Sequence, residues 1–340
     1  MTKSTNKIGV LLVNLGTPKS VKTADVRRYL RQFLSDGRVI DIPFLARFAL
    51  VNFIIAPFRA PKSAHEYQKL WTPKGSPLMF HGVELRDLVA ENLGENYETV
   101  LAMRYQEPSI ERGLELLLSK NVREIIIFPL FPQYASATTG SVQEEVMRIL
   151  SKKLIIPKLT FIASYPDNER MIKTFAAIGK RFIEKEKYDH FIFTYHGLPE
   201  RHLKKENVAC LTQNCCETFT EKNQFCYRAQ CFLTSRKLAE ELGLKKEDYT
   251  VCFQSRLGKD PWIQPYTEDK VRETAAAGKK KVLVFTPSFV ADCLETTVEV
   301  GETYKELFES ESQNGHWQLA PSLNSEKNWA EAVAEMIRNA

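Results

Sequence analysis

The feature that most constrains this chain is a set of short apolar runs, each stopped by a Gly- or Pro-bearing loop, that recurs in the same order in both halves. Lys7–Gly16 (KIGVLLVNLG) ends at Asn14, Gly16 and Pro18, and Phe191–Phe193 leads into His196, Gly197 and Pro199. Val100–Gln106 (VLAMRYQ) is echoed by Val251–Arg256 (VCFQSR), and Ile125–Pro132 (IIIFPLFP) by Val282–Phe289 (VLVFTPSF). Runs that are apolar on both faces fit parallel strands covered by helices on either side. The intervening segments have helical spacing, as in Ala24–Leu34, Val83–Asn92, Ile110–Ser119, Ser141–Leu150 and the amphipathic Asn168–Glu184. The expected class is therefore α/β, with two similar doubly wound, Rossmann-like lobes over residues 1–165 and 166–340. Strand-end loops then line a cleft between the lobes, which is where open α/β sheets place their ligands.

Composition excludes several classes. At 340 residues, 44% apolar and 26% charged, the chain is ordinary for a globular protein, and its net charge of +5 is mild. No basic–aromatic patch points to nucleic acid. No glycine-rich dinucleotide fingerprint or phosphate-binding loop follows a strand, since Gly16 stands alone, and this argues against nucleotide-dependent chemistry. Met1–Lys7 is polar and does not read as a signal peptide, which fits a cytoplasmic protein. The longest apolar stretch, Val39–Ala60, is interrupted by Asp41, Pro43, Arg47 and Pro57, so it is expected not to span a bilayer. It fits a membrane-surface contact, an apolar pocket wall or a core helix.

Three groups of residues can carry chemistry. His196 lies just past a central strand, a position that also suits a structural histidine. Asp292, Glu295 and Glu299 are spaced by three and four, so one helix would present them on one face. A histidine facing carboxylates suits a divalent cation or proton transfer, although Asp292 with Glu295 also reads as a helix capping box. Arg104, Tyr105, Arg256 and Trp262 fall at strand ends, where an arginine can pair with a carboxylate and a tryptophan can offer a flat face or anchor a loop. The third group is Cys210, Cys215, Cys216, Cys226 and Cys231, five of the seven cysteines within 22 residues. Their spacing, C-x4-C-C-x9-C-x4-C, is no standard zinc finger. Four of these thiolates could hold an iron–sulfur cluster or a structural zinc.

Taken together, these motifs resemble those of the ferrochelatases over almost the whole chain. The shared segments are NLGTP at Asn14, LSD at Leu34, the Arg59–Pro61 turn, GSPL at Gly75, MRY at Met103 and FPLFPQY at Phe128. They continue with YHGLP at Tyr195, FQSR at Phe253, PW at Pro261 and ADCLET at Ala291. The resemblance implies two chelatase-like lobes, each with a four-stranded parallel sheet flanked by helices. It implies that ferrous iron and protoporphyrin IX are the substrates, with His196 and Glu295 at the iron and Asp292 and Glu299 as an acidic row beside them. Arg59, Ser76, Arg104, Tyr105 and Trp262 then bind porphyrin, and residues 39–60 form an apolar lip with a candidate peripheral contact at the membrane. No obligate protein partner is expected. The cysteine-rich insert, residues 208–231, matches the internal segment in which some bacterial members hold a two-iron, two-sulfur cluster. The alternatives are cobalt insertion by an enzyme of the same fold, and a porphyrin or haem carrier without chemistry.

Overall fold

The protein is described by a computed structural model covering residues 7–206, 211, 215–256, 258 and 260–340. Its chain forms two compact units. The first comprises the chain up to Phe131, Ala135–Ser164 and Ser325–Ala340. Its sheet contains β1 (Ile8–Gly16), β2 (Tyr97–Tyr105), β3 (Glu124–Pro129) and β4 (Lys158–Phe161), all parallel, in the order β2-β1-β3-β4. Val10 to Val13 are completely buried, as expected of a central strand covered on both faces. Leu11, Val13, Ile125 and Ile127 pack against Leu114, Leu117, Val142 and Val146 from two helices. Gly16 ends β1 with φ of +116°, and any side chain there would collide with the Tyr105 carbonyl. The strand ends of β1 and β2 can approach this closely only with glycine at that position.

Residues 325–340 pack with this first unit, although the repeat pattern places them in the second half. The cause is the apolar face of Lys327–Arg338. Trp329, Ala330, Val333 and Ile337 on that face are fully buried, and the helix packs on Pro77–Leu93.

The second unit comprises Pro132–Tyr134 and Tyr165–Asn324. It holds β5 (His190–His196), β6 (Tyr249–Gln254), β7 (Lys281–Phe285) and β8 (His316–Leu319), again all parallel, in the order β6-β5-β7-β8. The strand order of the first sheet is thus repeated. The repeat extends to the loops. Met103 donates its amide to Pro108 after β2, and Phe253 donates to Pro265 after β6. Gln106 and Ser255, just beyond those strands, both have positive φ.

Two segments differ from expectation. Residues 44–70 do not break at Pro57. The helix Phe44–Ala49 passes through a π-helical stretch, Leu50–Ile55, into Ala56–Leu70. Pro57 comes just after the π-helical stretch and Pro61 lies inside Ala56–Leu70, and neither breaks the segment. The combined 27-residue segment is apolar and long enough to cross a membrane by length and composition. The second difference is Glu295–Thr303, which is π-helical rather than α-helical. Short π-helical stretches inside helices are frequent at functional sites.

Candidate active site

His196 is the last residue of β5 and pairs with Gln254 of β6. The following residue has to be glycine, because a Cβ at position 197 would lie 2.8 Å from the Gln254 carbonyl and 3.1 Å from the Trp262 ring. Trp262 is held by an antiparallel bridge to Pro199, which places its ring centroid 6.2 Å from the imidazole. Phe289 packs on the imidazole at 6.5 Å. His196 Nδ1 lies 2.6 Å from the Gly197 carbonyl oxygen. A carbonyl oxygen can only accept, so Nδ1 carries the hydrogen and neutral His196 keeps the lone pair on Nε2.

The π-helix sets the carboxylates. Glu299 accepts from Ser255 twice, from its amide at 3.0 Å and its hydroxyl at 2.6 Å, and from the Tyr304 hydroxyl at 3.3 Å. Burial raises the Glu299 carboxyl above the ordinary value of 4.5, and the charge of Glu295 pushes the same way. Hydrogen bonds from Ser255 and Tyr304 and the nearby His196 oppose this without cancelling it. Glu299 is therefore within electrostatic reach of both His196 and Glu295. A cavity of about 140 Å³ is lined by Ser255, Arg256, Glu268, Asp269, Glu299 and Tyr304.

Asp292 is placed differently. Its carboxylate accepts from the Ser322 amide at 3.0 Å and from Asn324 Nδ2 at 2.7 Å, while its own amide donates to Asn324 Oδ1. The capping-box reading does not describe it either, because the turn is closed by Cys293 and Thr296. The carboxylate fastens the segment 322–324, and only Glu295 and Glu299 of the acidic row lie on the π-helix.

In the first unit, Arg104 donates through Nη2 to Asp36 at 2.8 Å and through Nε to the Ser141 hydroxyl at 2.7 Å. Tyr105 is completely buried, and its hydroxyl donates to Asp36 at 2.9 Å. Burial alone would raise the Asp36 carboxyl. Bonds from Ser141, the Arg38 amide and Tyr105, together with the Arg104 charge, outweigh burial and hold it below the ordinary carboxylate range. Burial raises the Tyr105 phenol. Ser76 is buried, sits just before the helix Pro77–Leu93, and accepts from the Thr17 hydroxyl at 2.9 Å. Arg59 is exposed on Ala56–Leu70. Phe44, Leu45, Phe48, Phe53, Ile54 and Phe58 stand out from the same segment into solvent. Sequence reasoning missed Ser141, Ser255 and Tyr304 as partners. Asp36 lay in the quoted LSD motif and Ser255 in FQSR, but nothing in the pattern marked Tyr304.

Among the cysteines, Cys210 lies outside the described residues. Cys215 and Cys216 have sulfurs 3.5 Å apart, and Cys216 also bonds Cys226. Cys231 is fully buried, bonds Tyr227, and lies near enough to Cys216 and Cys226 to feel their charge. The bond from Cys226 and burial raise the Cys216 thiol, and burial raises that of Cys231. Thiols are the donor chemistry of a thiolate-held iron–sulfur group. Among the described residues, no group of three or more His, Cys, Asp or Glu side chains closes on one point as a metal shell.

A sequence profile described as ferrochelatase matches residues 7–340. A ferrochelatase of Coxiella burnetii (strain CbuK_Q154) is 44% identical over 347 residues, covering 99% of this chain and 94% of that protein. One from Legionella pneumophila (strain Paris) is 44% identical over 329 residues, covering 97% and 98%. Among solved structures, SirB from Bacillus subtilis with Fe3+ superposes with a TM-score of 0.54 at 12% identity, covering 98% of this chain and 95% of that one. CbiX, a terminal enzyme of sirohaem biosynthesis in denitrifying bacteria, gives 0.50 at 12% identity, covering 98% and 99%. At such identity the two structures speak for the fold alone. The profile and the relatives, each spanning nearly the whole length, show more: this chain belongs to the ferrochelatase family.

Proposed function

We propose that the protein inserts ferrous iron into protoporphyrin IX, releasing two protons and forming protohaem. The observation that carries the residue assignment is His196, with its Nε2 lone pair free and its backbone fixed by β5, within electrostatic reach of Glu299. A porphyrin must lose two pyrrole protons as the metal enters, and a flat ring hides its nitrogen lone pairs. Binding energy from the ring's remote parts can hold it bent, so that metal and base reach the nitrogens.

In this reading His196 Nε2 and the Glu295 carboxylate meet iron and the pyrrole protons. Glu299 takes protons onward, which suits a carboxyl raised by burial yet held by three hydrogen bonds. The cavity with Glu268 and Asp269 gives those protons an acidic outlet. Trp262 offers its ring to the macrocycle. Arg104, Arg59 and Ser76 serve the propionates, while Tyr105, being fully buried, acts by holding Asp36 against Arg104. Asp292 supports the π-helix from its start rather than relaying protons. The apolar residues between Phe44 and Phe58 cover the porphyrin and touch a membrane surface from the cytoplasmic side.

A two-iron, two-sulfur group would be held by cysteines of residues 208–231, among which Cys215, Cys216, Cys226 and Cys231 are the described donors. When bound, such a group supplies a one-electron, oxygen-sensitive centre.

The test is the visible spectrum of anaerobically purified protein before and after ferrous iron and protoporphyrin are added. Haem bands growing with turnover are expected. Stoichiometric porphyrin binding without metallation would leave a carrier, and metallation by cobalt alone would give the enzyme a different metal.

A further inference from the structure

The two residues read as meeting iron are held by one neighbour. Gln254 is the last residue of β6 and lies opposite His196 in the parallel register. Its carbonyl accepts the Gly197 amide at 2.8 Å, which holds the peptide after His196 against the end of β6. Its side chain is buried, at 1% exposure, and both ends of the amide are bonded. Nε2 donates to the Glu295 carbonyl oxygen at 3.4 Å, and Oε1 accepts from the Thr194 hydroxyl at 3.1 Å. The Glu295 carbonyl can only accept, so these partners fix which way the amide points. Thr194 is in turn held by the Thr267 hydroxyl at 2.7 Å. It stands two residues before His196, so both side chains leave β5 on one face. The π-helix packs on that face, with Val300 in one cluster with Ile192 and Cys252. A second tie, from Trp317 Nε1 to the Val300 carbonyl at 2.9 Å, fastens the helix further along.

We propose that Gln254 is a positioning residue that sets the spacing between His196 and Glu295, and so the pair of ligands offered to ferrous iron. Its backbone fixes the histidine side, through the strand pairing and the Gly197 amide. Its side chain fixes the carboxylate side. Glu295 is the first residue of the π-helix, and Leu294 before it offers no capping side chain. The Gln254 amide ties the start of that helix to β5 itself, through Thr194. Two groups that meet one ion must be held to within about 0.5 Å of their working geometry, and a misplacement of about 1 Å can cost on the order of a hundredfold in rate. Because the amide is buried, no water replaces either bond when it is removed. The Glu295 carboxylate then drifts relative to the imidazole, while the porphyrin, held by other groups, binds as before.

The role given to Gln254 rests on the reading of His196 and Glu295 as the groups that meet iron, and the experiment separates the two. Gln254→Met, Thr194→Val, Thr194→Ser, the pair Gln254→Met/Thr194→Val and His196→Ala are made in the full chain, with thermal melts to verify folding. Each is read by steady-state haem formation, with ferrous iron and protoporphyrin varied in turn. Gln254→Met removes both bonds of the amide and keeps a side chain of similar length. It is expected to raise the KM for iron and to lower kcat, each about tenfold, with porphyrin KM unchanged. Thr194→Val should move the same two constants in the same direction. Thr194→Ser keeps the hydroxyl and should keep the parental constants. The pair should lose no more than Gln254→Met alone, since Thr194 acts through the amide. Should Gln254→Met not fold, the contrast between Thr194→Val and Thr194→Ser decides the matter. A folded Gln254→Met enzyme with parental iron KM and kcat would overturn the coupling. Equal losses in iron and porphyrin KM, or multiplying losses in the pair, would do the same. Parental turnover in His196→Ala would instead overturn the site reading, and the role of Gln254 with it.

Discussion

Arg104 and Asp36 form a buried ion pair, Nη2 to Oδ2 at 2.8 Å, with side-chain exposures of only 15% and 8%. Removing one partner of such a pair leaves an uncompensated charge out of water, which costs more than the pair itself contributes. Asp36→Ala is therefore expected to destabilise the protein by about 3–5 kcal/mol in urea titrations. Arg104→Met, which removes the cation instead, should raise the Asp36 carboxyl, which keeps only the bonds from Ser141, the Arg38 amide and Tyr105 against burial. Stability in that variant should then rise less steeply with pH through the acidic range.

Ser255 contributes two of the donors to Glu299, and its hydroxyl bond favours the charged form. Ser255→Ala deletes that bond, so the carboxyl, already above 4.5, rises further. If Glu299 takes protons from the site, the acid limb of the kcat–pH profile should move to higher pH. The value of kcat at neutral pH should fall about tenfold, with little change in porphyrin KM. An unmoved acid limb would remove Glu299 from the proton path.

His190, at the start of β5, is 8% exposed and bonds Thr250 through Nε2 at 2.9 Å. Burial lowers its pKa from 6.5 to about 4, assisted by Lys279. A folded-state value below the unfolded one means that the unfolded chain takes up the proton first as pH falls. Stability contributed by the neutral imidazole is therefore complete above pH 6.5 and declines between about 6.5 and 4. The loss should amount to about 3 kcal/mol at the acid end. His190→Gln should flatten this part of the stability–pH curve as measured by urea midpoints.

Phe53 and Phe58 are 68% and 79% exposed, so they contribute little to folding. The double change Phe53→Ser/Phe58→Ser should leave the melting temperature within experimental scatter of the parent, in keeping with surface sites worth about 0.5 kcal/mol or less. It should raise porphyrin KM about tenfold, equivalent to ~1.4 kcal/mol of lost apolar contact, and reduce co-sedimentation with lipid vesicles. Loss of stability without change in KM would make the segment a core element instead.

The strands were readable because burial on both faces leaves a continuous apolar signature, and echoes such as Val100–Gln106 with Val251–Arg256 marked the second half as a repeat of the first. The strand-end position of His196 was readable for the same reason, since Gly197 and Pro199 stop the chain soon after the apolar run Phe191–Phe193. The role of Asp292 was not, because its carboxylate is claimed by Ser322 and Asn324, thirty or more positions away in the chain. Local spacing carries no trace of such a contact. The π-helix at Glu295–Thr303 also escaped, since spacings of three and four are what an α-helix would show. Tyr105 was singled out as a ligand residue at a strand end, yet it is completely buried. Strand-end position identifies a neighbourhood, and the side chain's direction depends on what packs over it. Tyr227 had only its place beside Cys226 to mark it, and its bond to the His196 carbonyl reaches across 31 residues of chain.

The most direct test of the account is iron insertion by His196→Ala, with circular dichroism and thermal melting confirming a parental fold. The account predicts that this variant still binds protoporphyrin but forms no haem above the uncatalysed rate. A folded His196→Ala protein that metallates porphyrin at the parental kcat would contradict it.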